Sequence, residues 1–183
     1  MNYAKIDPKD STNGVGFGVS LFVSGCRNHC KGCFNPETWD FNYGDEFTDE
    51  TMNYILDLVS RPYIDFFSVL GGDPFEEENR EYTLNIIRNI KQVRPNIKIF
   101  IWTGRLFENV IDTPYINDIL SESFILVDGK FIFEEKDIKL FLQGSRNQRI
   151  LDCQASLKEH KPVSAFKTGI IQLPDGATNI LNY

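Results

Sequence analysis

Long apolar runs are missing from this chain. The opening MNYAKIDPKD is broken up by charge and holds no apolar core of the kind a secretory leader needs, and no later stretch approaches the roughly 20 apolar residues of a membrane helix. A cytoplasmic protein with no membrane association is expected. A basic face is missing as well. The 19 Lys and Arg are outnumbered by 26 Asp and Glu, for a net charge of -7, and the cations are not clustered. Nucleic acid is excluded as an expected partner, because affinity for it comes mainly from neutralising phosphates. There is no linker, low-complexity tract or internal repeat. The 183 residues, 42% hydrophobic and 25% charged, are expected to make one domain, 1–183, in which 154–183 is a weakly patterned C-terminal extension. Cysteine is scarce, at four residues, and in a reducing compartment disulfides are rare.

Four short segments rich in β-branched and aromatic residues predict strands: GVSLFVSG (18–25), IDFFSVLGG (64–72), NIKIFIWTG (96–104) and SFILVDG (123–129), each ending at a glycine. Between them lie helix-like stretches. TDETMNYILDLVS offers Thr48 as an N-cap, EENREYTLNIIRNIKQV sets Ile86, Ile87 and Ile90 on one face, and TPYINDILSE is shorter. In the tail, LKEHKPVSAFKTGIIQLPDG predicts a short helix and then an extended segment. Strands that alternate with helices give an α/β fold with a mostly parallel sheet. A closed eight-stranded barrel takes about 250 residues, so a partial, incomplete βα barrel is expected.

In such a sheet, ligands bind where the strands' C-terminal ends meet the following loops. The informative loops all fall there: the cysteines after the first strand, GGDP (71–74) after the second, Thr103 and Gly104 after the third, DGK (128–130) after the fourth. One shared site is expected. The first loop, FVSGCRNHCKGCFNPETW (22–39), carries Cys26, Cys30 and Cys33. Three thiolates on one loop suit a cubane iron–sulfur cluster with one iron left open. A zinc site completed by His29 or Cys153 competes with this, as do three ordinary reduced cysteines, although no second ligand pair is visible. GGDP by itself is a strand-ending turn whose glycines allow a close backbone approach.

The C-x3-C-x2-C run resembles the signature of the radical S-adenosylmethionine enzymes, and GGDP resembles their glycine-rich motif. MNYAKIDPKDSTNGVG, LFVSGC, CKGCFNPETW, GGDP, IWTG, VDGKF and GSRNQRILD, in this order over most of the chain, resemble the activating proteins of anaerobic, glycyl-radical ribonucleotide reductases. The resemblance implies a partial barrel of the radical S-adenosylmethionine type, with a [4Fe-4S] cluster on Cys26, Cys30 and Cys33. It implies an oxidoreductase that reductively cleaves S-adenosylmethionine to methionine and a 5'-deoxyadenosyl radical, which removes a hydrogen atom from a glycine of the large reductase subunit. An electron donor such as a flavodoxin or ferredoxin is implied too. No catalytic side chain is expected beyond the cluster and the cofactor.

For the cofactor, the resemblance implies that the backbone of Gly32, Cys33 and Phe34 lies beside the adenine, with Gly71 and Gly72 beside the methionine end. Asp73 accepts a hydrogen bond from the ammonium or orients its loop, and its plain alternative is a turn cap before Pro74. Thr103, Asp128 and Lys130 are expected to face the cofactor or the incoming glycine segment, a plain turn at 128–130 being the alternative. Arg146 and Arg149 are read as contacts to ribose, carboxylate or partner, or as a solvated turn. His29 is expected beside the ligands without acid–base work, and Cys153 as a buried small hydrophobe. Two positions depart from the superfamily: Gly32 stands where an aromatic commonly precedes the third cysteine, with Phe34 following it, and Leu70 precedes GGDP where a small hydroxyl residue is common. An activase of the formate-lyase type would share the cysteine and glycine motifs but not VDGKF…GSRNQR. A noncatalytic metal-binding module remains a third reading.

Overall fold

The computed structural model describes residues 1–174 and 177. Seven strands, β1 (Asn2–Asp10), β2 (Gly18–Val23), β3 (Asp45–Glu46), β4 (Phe66–Gly71), β5 (Lys98–Trp102), β6 (Ile125–Asp128) and β7 (Arg149–Asp152), form one mixed sheet in the order β3-β1-β2-β4-β5-β6-β7. Its centre, β2-β4-β5-β6, is parallel, and β1 and β7 flank it antiparallel. All six residues of β2 are buried, as expected of a strand covered on both faces, which reads as a continuous apolar run.

Among the described residues six α-helices accompany the sheet: α1 (Asp49–Ser60), α2 (Glu77–Val93), α3 (Phe107–Val110), α4 (Ile116–Glu122), α5 (Cys153–Glu159) and α6 (Ala165–Thr168). Thr48 caps α1 in a reciprocal box with Thr51, each hydroxyl accepting the other's backbone N–H at 3.3 Å. Ile86, Ile87 and Ile90 of α2 are fully buried, against α1, α4 and one face of the sheet. Because side chains alternate along a strand, Phe67 and Val69 face these helices. Phe66 faces a second apolar cluster with Phe100, Val127, Leu142, Ala165 and Ile171. Among the described residues no helix is long and apolar enough to cross a membrane.

The four expected strands and three main helices are present. The flanking strands are additions. β1 carries Pro8 and alternates charge with apolar residues, and its pairing with β2 slips between Asp7 and Asp10; such a strand is defined by its neighbour more than by its own pattern. In the tail, α5 begins earlier than expected, where the Asp152 carboxylate accepts the Ala155 N–H at 3.0 Å. Ala165 and Ile171 join the core, so this part of the extension is built into the fold. The end of the expected extended segment, at 175–176, lies outside the described residues.

Candidate active site

A cleft of about 520 Å³ opens at the C-terminal ends of the parallel strands, and Cys26, Cys30 and Cys33 all line it. The register that pairs Val23 with Gly71 sets the cysteine loop beside the glycine loop. Gly25 turns the chain out of β2 with a φ of +99°, where an added Cβ would strike the Phe41 ring. Its N–H is held by the Thr38 carbonyl at 2.8 Å. All four cysteines are free; Cys26 is buried, Cys30 and Cys33 are half-buried.

Burial, with the nearby Asp73 and Glu76 carboxylates, pushes the Cys26 thiol up to about 11, and burial also raises Cys30. The sulfurs already accept hydrogen bonds, from Asn28 Nδ2 to Cys26 Sγ (3.6 Å) and from the Asn35 N–H to Cys33 Sγ (3.4 Å). Among the described residues, the donors gathered within 4.8 Å of one another are Cys26, Asp73 and Glu76, not the three thiols. The thiols are thus spread more widely than one ion's ligands, and the two carboxylates are engaged elsewhere. A soft, sulfur-only set spread over one cleft fits a polynuclear cluster better than a zinc ion. The zinc alternatives gain no support from their fourth ligands. His29 is exposed and stacks on Trp39 (4.7 Å between ring centroids). Cys153 lies in the helix-side core, where burial pushes its thiol well up and leaves it inert.

Asp73 lies at the junction of three loops. Its carboxylate accepts from Phe75 N and Thr103 Oγ1 (both 2.9 Å) at Oδ1, and from Asn28 Nδ2 and Gly104 N (both 3.2 Å) at Oδ2. Every oxygen is engaged and the side chain is fully buried, so Asp73 orients the loops and does not line the cleft. Two residues that the sequence did not single out complete the junction. Glu76, also buried, accepts from the Arg27 N–H (2.9 Å), Arg27 Nη1 (2.9 Å) and Arg105 Nη2 (2.8 Å). Asn79 Nδ2 donates to the carbonyls of Ser24 (2.9 Å) and Asp73 (3.0 Å). Both sit where α2 begins, so in the sequence they read as ordinary polar helix residues.

Gly71 and Gly72 line the cleft, but strand packing also demands them. A Cβ on Gly72 would lie 2.5 Å from the Gly25 carbonyl oxygen, and one on Gly71, whose φ is +105°, would lie 2.8 Å from the Phe22 backbone. Thr103 and Phe34 line the cleft as well. Phe34 is 59% exposed and tilts against Phe131 at 5.2 Å. Gly32 is not among the lining residues; its φ of +69° turns the loop over the Phe133 ring.

Asp128 and Lys130 are not among the residues that line the cleft. The Asp128 carboxylate is wholly buried and accepts from Arg149 Nε (2.8 Å) and the Phe107 N–H (2.7 Å), so it joins β6, β7 and α3. Burial raises its pKa despite the Arg149 bonds. Lys130 is exposed at a neighbouring hollow, and of this loop only Gly129 reaches the cleft. Arg149 is 14% exposed and paired with Asp128 and Glu108, whereas Arg146 pairs with Asp137 at 2.9 Å. Thr12 and Asn13, not expected from the sequence, also line the cleft. The Asp10 carboxylate accepts from Ser20 Oγ, Thr12 N (2.7 Å) and Asn13 Nδ2 (2.6 Å), bonds that outweigh burial and hold its pKa down. DSTN after a strand carries the turn chemistry that would have signalled this.

A family model described as a 4Fe-4S single cluster domain matches residues 12–151. The chain is 37% identical over 152 residues to the anaerobic ribonucleoside-triphosphate reductase-activating protein of Enterobacteria phage T4, covering 82% of this chain and 93% of that one. It is 37% identical over 157 residues to the protein of the same name from Vibrio cholerae (82% and 97%) and 38% over 154 residues to that of Escherichia coli K12 (81% and 96%). With the cluster domain matched over most of its length and relatives of one name aligned nearly end to end, the chain belongs to the family of anaerobic ribonucleoside-triphosphate reductase-activating proteins.

Proposed function

We propose that this protein is the radical S-adenosylmethionine activase of an anaerobic ribonucleotide reductase, working as a single domain in the cytoplasm. The observation that carries the reading is that three free thiols line one cleft with the glycine-edged end of β4. Cys26, Cys30 and Cys33 would hold a [4Fe-4S] cluster, and the amide donors on two of the sulfurs would tune its potential. When bound, the cluster and S-adenosylmethionine supply the reductive cleavage and the adenosyl radical that takes a hydrogen atom from a reductase glycine.

The chain's own residues position and shield. Gly71 and Gly72 offer bare backbone to the methionine end, and Phe34, with the backbone at Cys33, borders the adenine. Thr103 lines the same cleft. Asp73 and Glu76 tie the cysteine, glycine and β5 loops to one another. We read the sheet as a partial barrel of this superfamily. The glycine-bearing segment of the large reductase subunit would enter the cleft and exclude water. A flavodoxin or ferredoxin would deliver the electron.

Anaerobic reconstitution followed by electron paramagnetic resonance tests this. A cluster spectrum perturbed by S-adenosylmethionine is expected, and a glycyl radical when the large subunit is added. A cluster indifferent to S-adenosylmethionine would leave a noncatalytic metal-binding module. An equal radical signal from a reductase lacking its radical glycine would remove the reductase as substrate.

A further inference from the structure

Gln143 lines the cleft and is only 7% exposed. Its Nε2 donates to the main-chain carbonyl of Gln148, which fixes which end of the amide is which, because the flipped group would set two oxygens against each other. The other end, Oε1, is buried and accepts no hydrogen bond from the described residues. Buried acceptors are nearly always paired, and one left without a donor is destabilising. Among the described residues two further buried side-chain polar atoms lack a hydrogen bond, Arg105 Nε and Ser164 Oγ. Arg105 still lies 3.9 Å from Asp73, and neither residue lines the cleft.

The main chain on either side of Gln143 is held in place. Leu142 before it adopts a left-handed φ of 60°, and its carbonyl accepts from Trp102 Nε1 at 2.9 Å. The N–H of Gly144 after it donates to Gln148 Oε1 at 2.8 Å, and Gln148 Nε2 donates in turn to the Gly129 carbonyl at 2.9 Å. A non-glycine residue in that left-handed region persists only where its surroundings over-determine it, and such residues gather at ligand sites. Gly144 also packs against the aromatic wall, where an added Cβ would come within 3.0 Å of Phe34 and 3.2 Å of Phe131. One neutral acceptor thus sits on the residue next to the one that packs against the Phe34 and Phe131 rings.

We propose that Oε1 of Gln143 accepts a hydrogen bond from a neutral N–H of what the cleft binds, either the adenine amine of S-adenosylmethionine or a backbone N–H of the incoming glycine segment. This rests on the function proposed above. A glycine offers no side chain to be read, so both sources present the same chemistry, an amine or amide N–H seeking an acceptor.

The test compares wild type with Gln143→Leu, both cluster-loaded, by titration with S-adenosylmethionine and with its analogue carrying hydrogen in place of the adenine amine. The reductase concentration giving half-maximal glycyl radical is measured alongside. If the amine is the donor, wild type prefers S-adenosylmethionine over the analogue by about tenfold, and the Leu variant loses that preference. If the segment is the donor, cofactor affinity is unchanged and the half-maximal reductase concentration rises by about tenfold. A folded Leu variant that matches wild type in both measurements overturns the proposal. Should the variant not fold, wild type decides. The analogue is compared with S-adenosylmethionine, and a peptide spanning the radical glycine with its backbone N-methylated form; discrimination in either pair supports the proposal and indifference to both overturns it. Wild type that binds no S-adenosylmethionine at all would bring down the reading of the cleft, and this proposal with it.

Discussion

Asp73→Asn preserves shape but should cost more than an isosteric swap suggests. A carboxylate only accepts, whereas an amide must present an NH2 on one side, and Asp73 meets donors on both. On the Oδ1 side the Thr103 hydroxyl can turn to accept, but the Phe75 N–H cannot. On the Oδ2 side Asn28 can turn its amide over, but the Gly104 N–H cannot. Either choice leaves one backbone N–H facing another N–H, a loss of about 1–3 kcal/mol. Two smaller effects oppose each other. The bonds to the surviving oxygen lose charge assistance, while the neutral amide avoids the desolvation that pushes the Asp73 carboxyl up. With these taken as offsetting, about 2 kcal/mol remains, or a fall of about 4–8 °C in Tm for a chain of this size. Anaerobic thermal unfolding of the cluster-free chain measures it. Because Asn28 lies between Cys26 and Cys30, iron retained after reconstitution should fall in the same variant. An unchanged Tm with full iron retention would refute the claim that this carboxylate ties the three loops together.

Replacing Cys26, Cys30 or Cys33 by Ser should abolish stable iron and sulfide binding, while Cys153→Ser retains both; equal loss in all four variants would sink the three-ligand assignment. Gly72→Val should lose iron along with cofactor binding, since its Cβ would press on the Gly25 carbonyl next to Cys26, and a variant with full iron content but weakened cofactor binding would argue for ligand contact alone. Arg149→Met strips the buried Asp128 of its cation and should destabilise by about 3–5 kcal/mol at neutral pH. Asp128 already has a raised pKa, and a group raised in the folded state favours folding below its unfolded pKa and loses that contribution as pH rises through its folded pKa. The deficit of the variant should therefore narrow on acidification, and a deficit constant with pH in urea titrations would contradict this.

The parallel centre of the sheet was legible because each of its strands is a short apolar run closed by glycine, and the helices because α1 has its Thr48 cap and α2 its isoleucine stripe. β1 and β7 were not. Their sequences, NYAKIDPKD and RILD, are mixed and short, and only pairing with β2 and β6 makes strands of them. The cysteines marked the candidate site through their spacing, and the strand-end loops marked the edge at which the cleft lies. What spacing could not convey is which polar residue faces the cleft and which faces the protein. Asp73 and Asp128 follow strand-end glycine and valine in much the same way as a ligand-facing residue would, yet both turn inward to backbone amides and cations. Glu76 and Asn79 carry helix-surface chemistry in the sequence and become buried only because the cysteine loop folds back over the start of α2.

With the cluster on the cysteine loop and the cofactor on the glycine loop, as proposed above, the bonds that the two loops share would tie two binding events together. Asp73 N–H to the Gly25 carbonyl (2.9 Å), Gly72 N–H to the Val23 carbonyl (2.7 Å) and Asn28 to the Asp73 carboxylate belong to both loops at once. Ordering either loop therefore lowers the cost of ordering the other, and thermodynamic reciprocity requires that metal loading and cofactor affinity reinforce each other by the same factor. A chain stripped of its iron by oxygen would then also relax its hold on the cofactor, so that damage to the cluster releases an intact, reusable S-adenosylmethionine instead of trapping it in a dead enzyme.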